Sequence, residues 1–214
     1  MKEQQMYELN KIHEEKLKKN FEEKLHHDPQ NIDLLFKLAI LEIHPPNGDD
    51  IKCIAYLEQI LALDTDNVQA LLLLSYLKHY TLFEHADEHL MNKLTSLKSS
   101  SDESDSMLRY AASWFFQFKG DDEKETFSLQ ESIALDQRNV WSYVYLADNY
   151  FTQGKNLEAK ELIHKALGNI KKIYTDNEIF EYDEPDLNDF LNHYVKGIYV
   201  TPQQVNLIKK RLEK

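Results

Sequence analysis

The chain has 214 residues, 42% of them hydrophobic and 29% charged, with five glycines and five prolines; this is a globular composition short of the turn residues that a many-stranded sandwich or barrel needs, so an all-α fold is predicted. The 37 acidic residues outnumber the 25 basic ones and give a net charge of −12, a field that repels phosphate backbones and anionic lipid and argues against nucleic acid or membrane as a partner. A single cysteine, a polar start (MKEQQMYELNKIHEEK) and no apolar run of roughly 18 residues favour a cytoplasmic protein.

In chain order, residues 4–27 read as one helix, with Leu17, Phe21 and Leu25 on a single face. Asp28-Pro29-Gln30-Asn31 breaks it. A related phrase, Ala62-Leu63-Asp64, two free residues, Asn67-Val68, returns as Ala134-Leu135-Asp136, two free residues, Asn139-Val140. Asp28, Asp64 and Asp136 are thus spaced by about 36 and 72 residues, one period and two, as in a solenoid of helix pairs. In each copy the leucine side closes one helix and the asparagine caps the next. The run SSSDESDS, Ser99 to Ser106, reads as a flexible, solvated connector, with Asp105 or Ser106 capping the helix that follows it.

The stretch LADNYFTQGKNLEAKELIHKAL, residues 146–167, carries Leu146, Ala147, Tyr150, Gly154, Ala159, Ile163 and Ala166 at spacings that resemble the tetratricopeptide repeat. That unit has about 34 residues: helix A, a tight turn, helix B. Small residues at 147, 159 and 166 would let two helix backbones approach closely, and Gly154 would take the turn. Ala159 is expected to pack and Glu158 to face solvent. The resemblance implies a right-handed α-solenoid of about four helical hairpins. Residues 1–31 form an N-terminal capping helix, and residues 32–170 divide into repeats at 32–67, 68–105, 106–139 and 140–170. In the third repeat Ala112, Ser113, Phe116, Gly120, Leu129 and Ser132 fit the frame, whereas Glu125 stands where the family has alanine. Cys53 fills a small-residue packing position.

Residues 171–214 form the tail. Seven acids and no Lys or Arg lie between residues 173 and 195. A helix over 186–196 would carry Leu187, Phe190, Leu191 and Tyr194 on one face. A last helix starts near Pro202 with Thr201 as its cap and a stripe of Val205, Ile208 and Leu212. The tail reads as the cap that a repeat array needs.

Two functional readings compete. His85-Ala86-Asp87-Glu88-His89 matches the inverted zinc-protease pattern H-x-x-E-H, in which two histidines four apart hold zinc and the glutamate activates water. A metal-dependent hydrolase built on His85, Glu88 and His89 is therefore the alternative. Ala86, however, occupies a packing position of helix B, and no residue presents itself as a third ligand. The main reading is a non-catalytic protein-binding module without cofactor. The resemblance places the A helices on the concave surface, and its inward positions fall on Phe36, Ile40, Leu72, Tyr76, Tyr80, Tyr110, Trp114, Phe118, Trp141 and Phe151, with His79, Met107, Val144 and Asp148. None of them is Lys or Arg. About half are expected to be core, and the rest would take an apolar helix or extended segment of a basic protein or peptide partner. Scaffold, chaperone and toxin-neutralising immunity protein are the roles the resemblance allows.

Overall fold

A computed structural model describes residues 2–43, 48–81, 87–173 and 202–213. Its elements are α1 (Lys2–His27), α2 (Ile32–Ile43), α3 (Asp50–Leu63), α4 (Val68–Tyr76) continuing into a π-helical turn (Leu77–Thr81), and α5 (Glu88–Ser96). They are followed by α6 (Asp102–Lys119), α7 (Asp122–Leu135), α8 (Val140–Thr152), α9 (Asn156–Ile173), α10 (Pro202–Lys210) and a 3-10 turn (Arg211–Glu213). No strand occurs among the described residues. Consecutive helices from α2 to α9 pair as hairpins and stack into an α-solenoid, with α1 against α2 and α10 against α9.

The recurring aspartate–asparagine phrase does one local job three times. Asn31, Asn67 and Asn139 each donate a backbone N–H to the carbonyl of the aspartate three residues earlier, at 3.1, 3.2 and 3.2 Å. Their side-chain oxygens then accept the N–H of Leu34 at 3.1 Å, Ala70 at 3.1 Å and Ser142 at 3.4 Å. Asp64 and Asp136 accept the N–H two residues on. Each copy closes one helix and caps the next, which satisfies backbone groups that a helix terminus leaves open.

The turns within the third and fourth hairpins are equally alike. Gly120 and Gly154 have φ of 68° and 75°, and the residue after each donates its N–H to Phe116 O at 3.0 Å and Tyr150 O at 2.9 Å. A Cβ on either glycine would meet nothing within 4 Å, so it is the left-handed backbone, not lack of space, that selects glycine.

Small residues set the helix contacts. Ala112, Ala147, Ala159 and Ala166 are fully buried, as is Cys53, whose thiol pKa is pushed up by burial and by the nearby Asp50 and Glu42. Glu158 is exposed. Buried hydroxyls bridge α6, α7 and α8: Ser106 donates to Ser132 O at 2.8 Å, and the Ser132 and Ser142 hydroxyls lie 2.8 Å apart. Arg109 is almost wholly buried and donates to Leu94 O at 2.6 Å and Leu97 O at 3.4 Å. It thereby ties the end of α5 to α6.

One expected cap is corrected. The helix after the serine-rich run starts at Asp102, and Ser101 caps it by accepting the Ser104 N–H at 3.1 Å. Asp105 turns back instead and accepts the Ser99 N–H at 2.6 Å. Ser101 has the hydroxyl and the extended backbone of a cap (φ −143°), and three acids in the first turn suit the helix dipole. The run read as a connector therefore belongs largely to α6. Thr201, the helix expected at 186–196 and its apolar face lie outside the described residues, whereas Pro202 opens α10. Ile208 of α10 is fully buried, with Val205 and Leu212 packed beside it on the α8–α9 core.

Candidate functional site

The A helices α2, α4, α6 and α8 carry nine of the ten residues expected to face inward, and the π-helical turn after α4 carries Tyr80. Phe36, Ile40, Leu72, Tyr110 and Trp114 are core, between 1% and 5% exposed. Tyr76, Trp141 and Phe151 are half-buried. Phe118, at the end of α6, is 60% exposed. The side chain of Tyr80 lies outside the described residues. Of the four further positions, Met107 and Val144 are core, His79 and Asp148 half-buried. The five core residues therefore present little surface of their own. Each A helix is flanked by helices on both sides, and its widest side chains fill the layer between them.

What the structure assembles is an aromatic ladder. His79, on the π-helical turn after α4, stacks on Trp114 of α6 with centroids 5.2 Å apart and planes 23° apart. Trp114 meets Tyr110 edge-on at 5.0 Å, and Tyr110 meets Tyr145 of α8 edge-on at 5.9 Å. Contacts of this geometry contribute about 0.5–1.5 kcal/mol each beyond area burial. The ladder joins three hairpins, with a buried middle and half-buried ends. Sequence reasoning missed Tyr145 because the family register gave the inward position to Val144, which is fully buried. The aromatic at 145, four residues after Trp141 on one helix, was the available signal.

The turn after α4 adds a π-helical step. Such a step adds a residue to the turn and re-aims the side chains that follow, and it often marks functional segments. Here it delivers His79 onto Trp114, while Lys78 leaves the other way to pair with Asp87 at 2.6 Å. Burial of the Asp87 carboxyl opposes ionisation, but the Lys78 hydrogen bond, the Leu90 N–H and the charges of Lys78 and His89 together outweigh it and hold the pKa below the ordinary value. Asp148 is gripped by Arg211 through Nε at 3.0 Å and Nη2 at 2.8 Å.

Of the alternative metal motif, His85 and Ala86 lie outside the described residues. Glu88 and His89 are exposed at the start of α5, and Glu88 pairs with Lys119 at 3.0 Å. Among the described residues no group of three or more His, Cys, Asp or Glu side chains gathers as a metal site. Among them, too, no helix is long and apolar enough to cross a membrane.

No protein-family model matches the sequence, and no curated protein matches it. Solved structures do match the fold. MamA aligns at 19% identity over 76% of this chain and 92% of its own, with a TM-score of 0.60. PilW, a type IV pilus biogenesis factor, aligns at 13% identity over 97% and 88%, with a TM-score of 0.62. Human IFIT1 in complex with m7Gppp-AAAA aligns at 17% identity over 94% of this chain and 46% of its own, with a TM-score of 0.51. All three are built of tetratricopeptide repeats. This chain shares the tetratricopeptide-repeat fold.

Proposed function

We propose that the chain is a non-catalytic protein-binding module whose partner lies along the A-helix face. The carrying observation is the ladder His79–Trp114–Tyr110–Tyr145, which is continuous from the second hairpin to the fourth. Trp114, Tyr110, Leu72, Ile40 and Phe36 form the rigid floor. The contact surface is supplied by Tyr76, His79, Phe118, Trp141, Tyr145 and Phe151. Aromatic side chains bury much area while freezing few torsions, which suits them to anchor a partner. The occupant is an apolar helix or extended segment of a basic protein, because the chain carries −12 net charge and complementary charge speeds and orients docking. The same charge disfavours RNA here, although the IFIT1 structure holds an RNA cap analogue. A scaffold, a chaperone and an immunity protein that neutralises a basic toxin all use such a surface.

The test is to isolate the partner from the source cells by affinity capture and mass spectrometry, then to titrate it against variants. Replacing Trp141 and Tyr145 with Ala together should weaken binding at least tenfold while the helical signal and a cooperative melt of the array are retained, at a lowered melting point. Trp114→Ala should weaken it by about 2 kcal/mol or more, partly through loss of the floor. If the folded Trp141/Tyr145 variant binds as tightly as the parent, the A-helix face is not the site. Stoichiometric zinc in the purified chain, lost on His85→Ala with His89→Ala, would favour the hydrolase instead.

A further inference from the structure

A second concavity lies on the other side of the solenoid, between the B helices α7 and α9. It holds about 570 Å³ and is lined by Gln130, Ile133 and Gln137, by Tyr143, Leu146 and Tyr150 of α8 beneath, and by Leu162, Lys165, Gly168 and Asn169. This volume falls in the range of binding clefts. Among the described residues no carboxylate lines it, in a chain with 37 acidic residues. Asp136 acts on Tyr143 through space, and Arg138 holds that carboxylate with Nε at 2.9 Å and Nη2 at 2.8 Å.

The lining is ordered by chemistry. Ile133, Leu146 and Leu162 make an apolar floor. At one end Gln130 donates to the Tyr150 hydroxyl at 3.0 Å. At the other Asn169 donates to Gln137 O at 2.6 Å, and Lys165 stands exposed on the rim. Each of the three side-chain amides still offers donor or acceptor capacity. Gly168 keeps the α9 wall low: a Cβ built there meets nothing within 4 Å, so a larger side chain would enter the trough rather than the core.

We propose that this outer trough is a binding site for the C-terminal end of an apolar peptide. From Gln130 to Gln137 is about 10 Å along the helix direction, the length of three extended residues. Apolar side chains of the peptide sit on Ile133, Leu146 and Leu162. Its main-chain amides pair with Gln130, Gln137 and Asn169, and its terminal carboxylate lies on the Lys165 ammonium. Side-chain amides match peptide groups in both donor and acceptor, and the described lining adds no carboxylate to repel the terminal carboxylate of the peptide.

The test is fluorescence polarisation with the full chain and a labelled Gly-Leu-Val-Leu peptide, as free acid and as C-terminal amide. The free acid should bind at least tenfold more tightly. Lys165→Gln should erase that preference, and Gly168→Leu should weaken both peptides at least tenfold without lowering the melting point. The Trp141/Tyr145 double alanine variant should bind the free acid as the parent does. Equal affinity for acid and amide, a preference that survives Lys165→Gln, binding that survives Gly168→Leu, or no saturable binding at millimolar peptide would each overturn the proposal. Loss of binding in the Trp141/Tyr145 variant would place the peptide on the A-helix face and overturn it equally.

Discussion

Among the described residues the carboxyl groups of Glu42 and Glu125 are buried, and their surroundings differ. Glu42, at the end of α2, has a fully buried side chain and is met by Lys18 of α1. Among the described residues Lys18 is its one ionic partner, and no hydrogen-bond donor adds to it. Glu125, in the first turn of α7, is 3% exposed and has no cation beside it. Desolvation pushes its pKa up to about 7; the neighbouring Asn149 side chain opposes that shift and the Asp122 charge reinforces it. Lys124, one residue away, is committed to Asp121 at 2.7 Å. The contrast shows what a helical array does with an acid in its core. Where a neighbouring helix supplies an ammonium, the charge becomes a clamp that seats the helix. Where it supplies an amide alone, the carboxyl holds its proton to near neutrality.

Breaking the clamp is expected to have the largest effect. Lys18→Ala leaves the Glu42 carboxylate buried without a counter-charge, and the cost should be about 3–5 kcal/mol. Urea unfolding at neutral pH measures it, and Lys18→Ala combined with Glu42→Leu should recover most of the loss. Full stability in Lys18→Ala alone would mean that the pair contributes nothing to seating α1.

Glu125 should respond with the opposite sign. Its folded pKa of about 7 lies above the ordinary 4.5, so the folded chain keeps a proton that the unfolded chain has given up. Below about pH 4.5 both states are protonated and nothing is lost. Stability then falls as pH rises towards 7 and levels off above it, by up to about 3 kcal/mol. Glu125→Gln should therefore stabilise the protein by about 1–3 kcal/mol at pH 8 and leave it unchanged at pH 4. Parallel stability–pH curves for parent and variant would show that Glu125 does not titrate in the fold as described. Asn149→Ala removes the polar side chain that lowers the Glu125 pKa, so an NMR titration of the carboxyl should move its midpoint upward.

A third acid sharpens the comparison at the weak end. Asp148 is held bidentately by Arg211, but both side chains are part-exposed, 33% and 26%. Arg211→Gln should cost less than about 1 kcal/mol and lose its effect in high salt. Ile208, fully buried on the same cap, should dominate the seating of α10, with Ile208→Ala costing about 2–4 kcal/mol. If Arg211→Gln proved the more damaging of the two, the cap would be held by charge and not by apolar burial.

The sequence by itself determined the helical class, the period and the turns, because these rest on local chemistry. An asparagine three residues after an aspartate caps a helix wherever it stands, and a left-handed turn selects glycine at 120 and 154. Spacing also marked Glu125 as the odd residue of its repeat: Ala159, 34 positions on, fills the equivalent place and is fully buried. Tertiary structure decided what periodicity does not encode. Ser101 and Asp105 both had capping chemistry, and the path of the chain into α6 chose Ser101. Trp114 and Tyr110 share one face of α6 with the more exposed Phe118, and stacking from α4 and α8 placed the first two in the core. The outer trough could not be read at all, since its floor and rims come from three helices that meet only in the folded array. Local backbone needs are written residue by residue. Which side chains end up dry, and which carboxyl finds a cation, depends on which helices lie side by side.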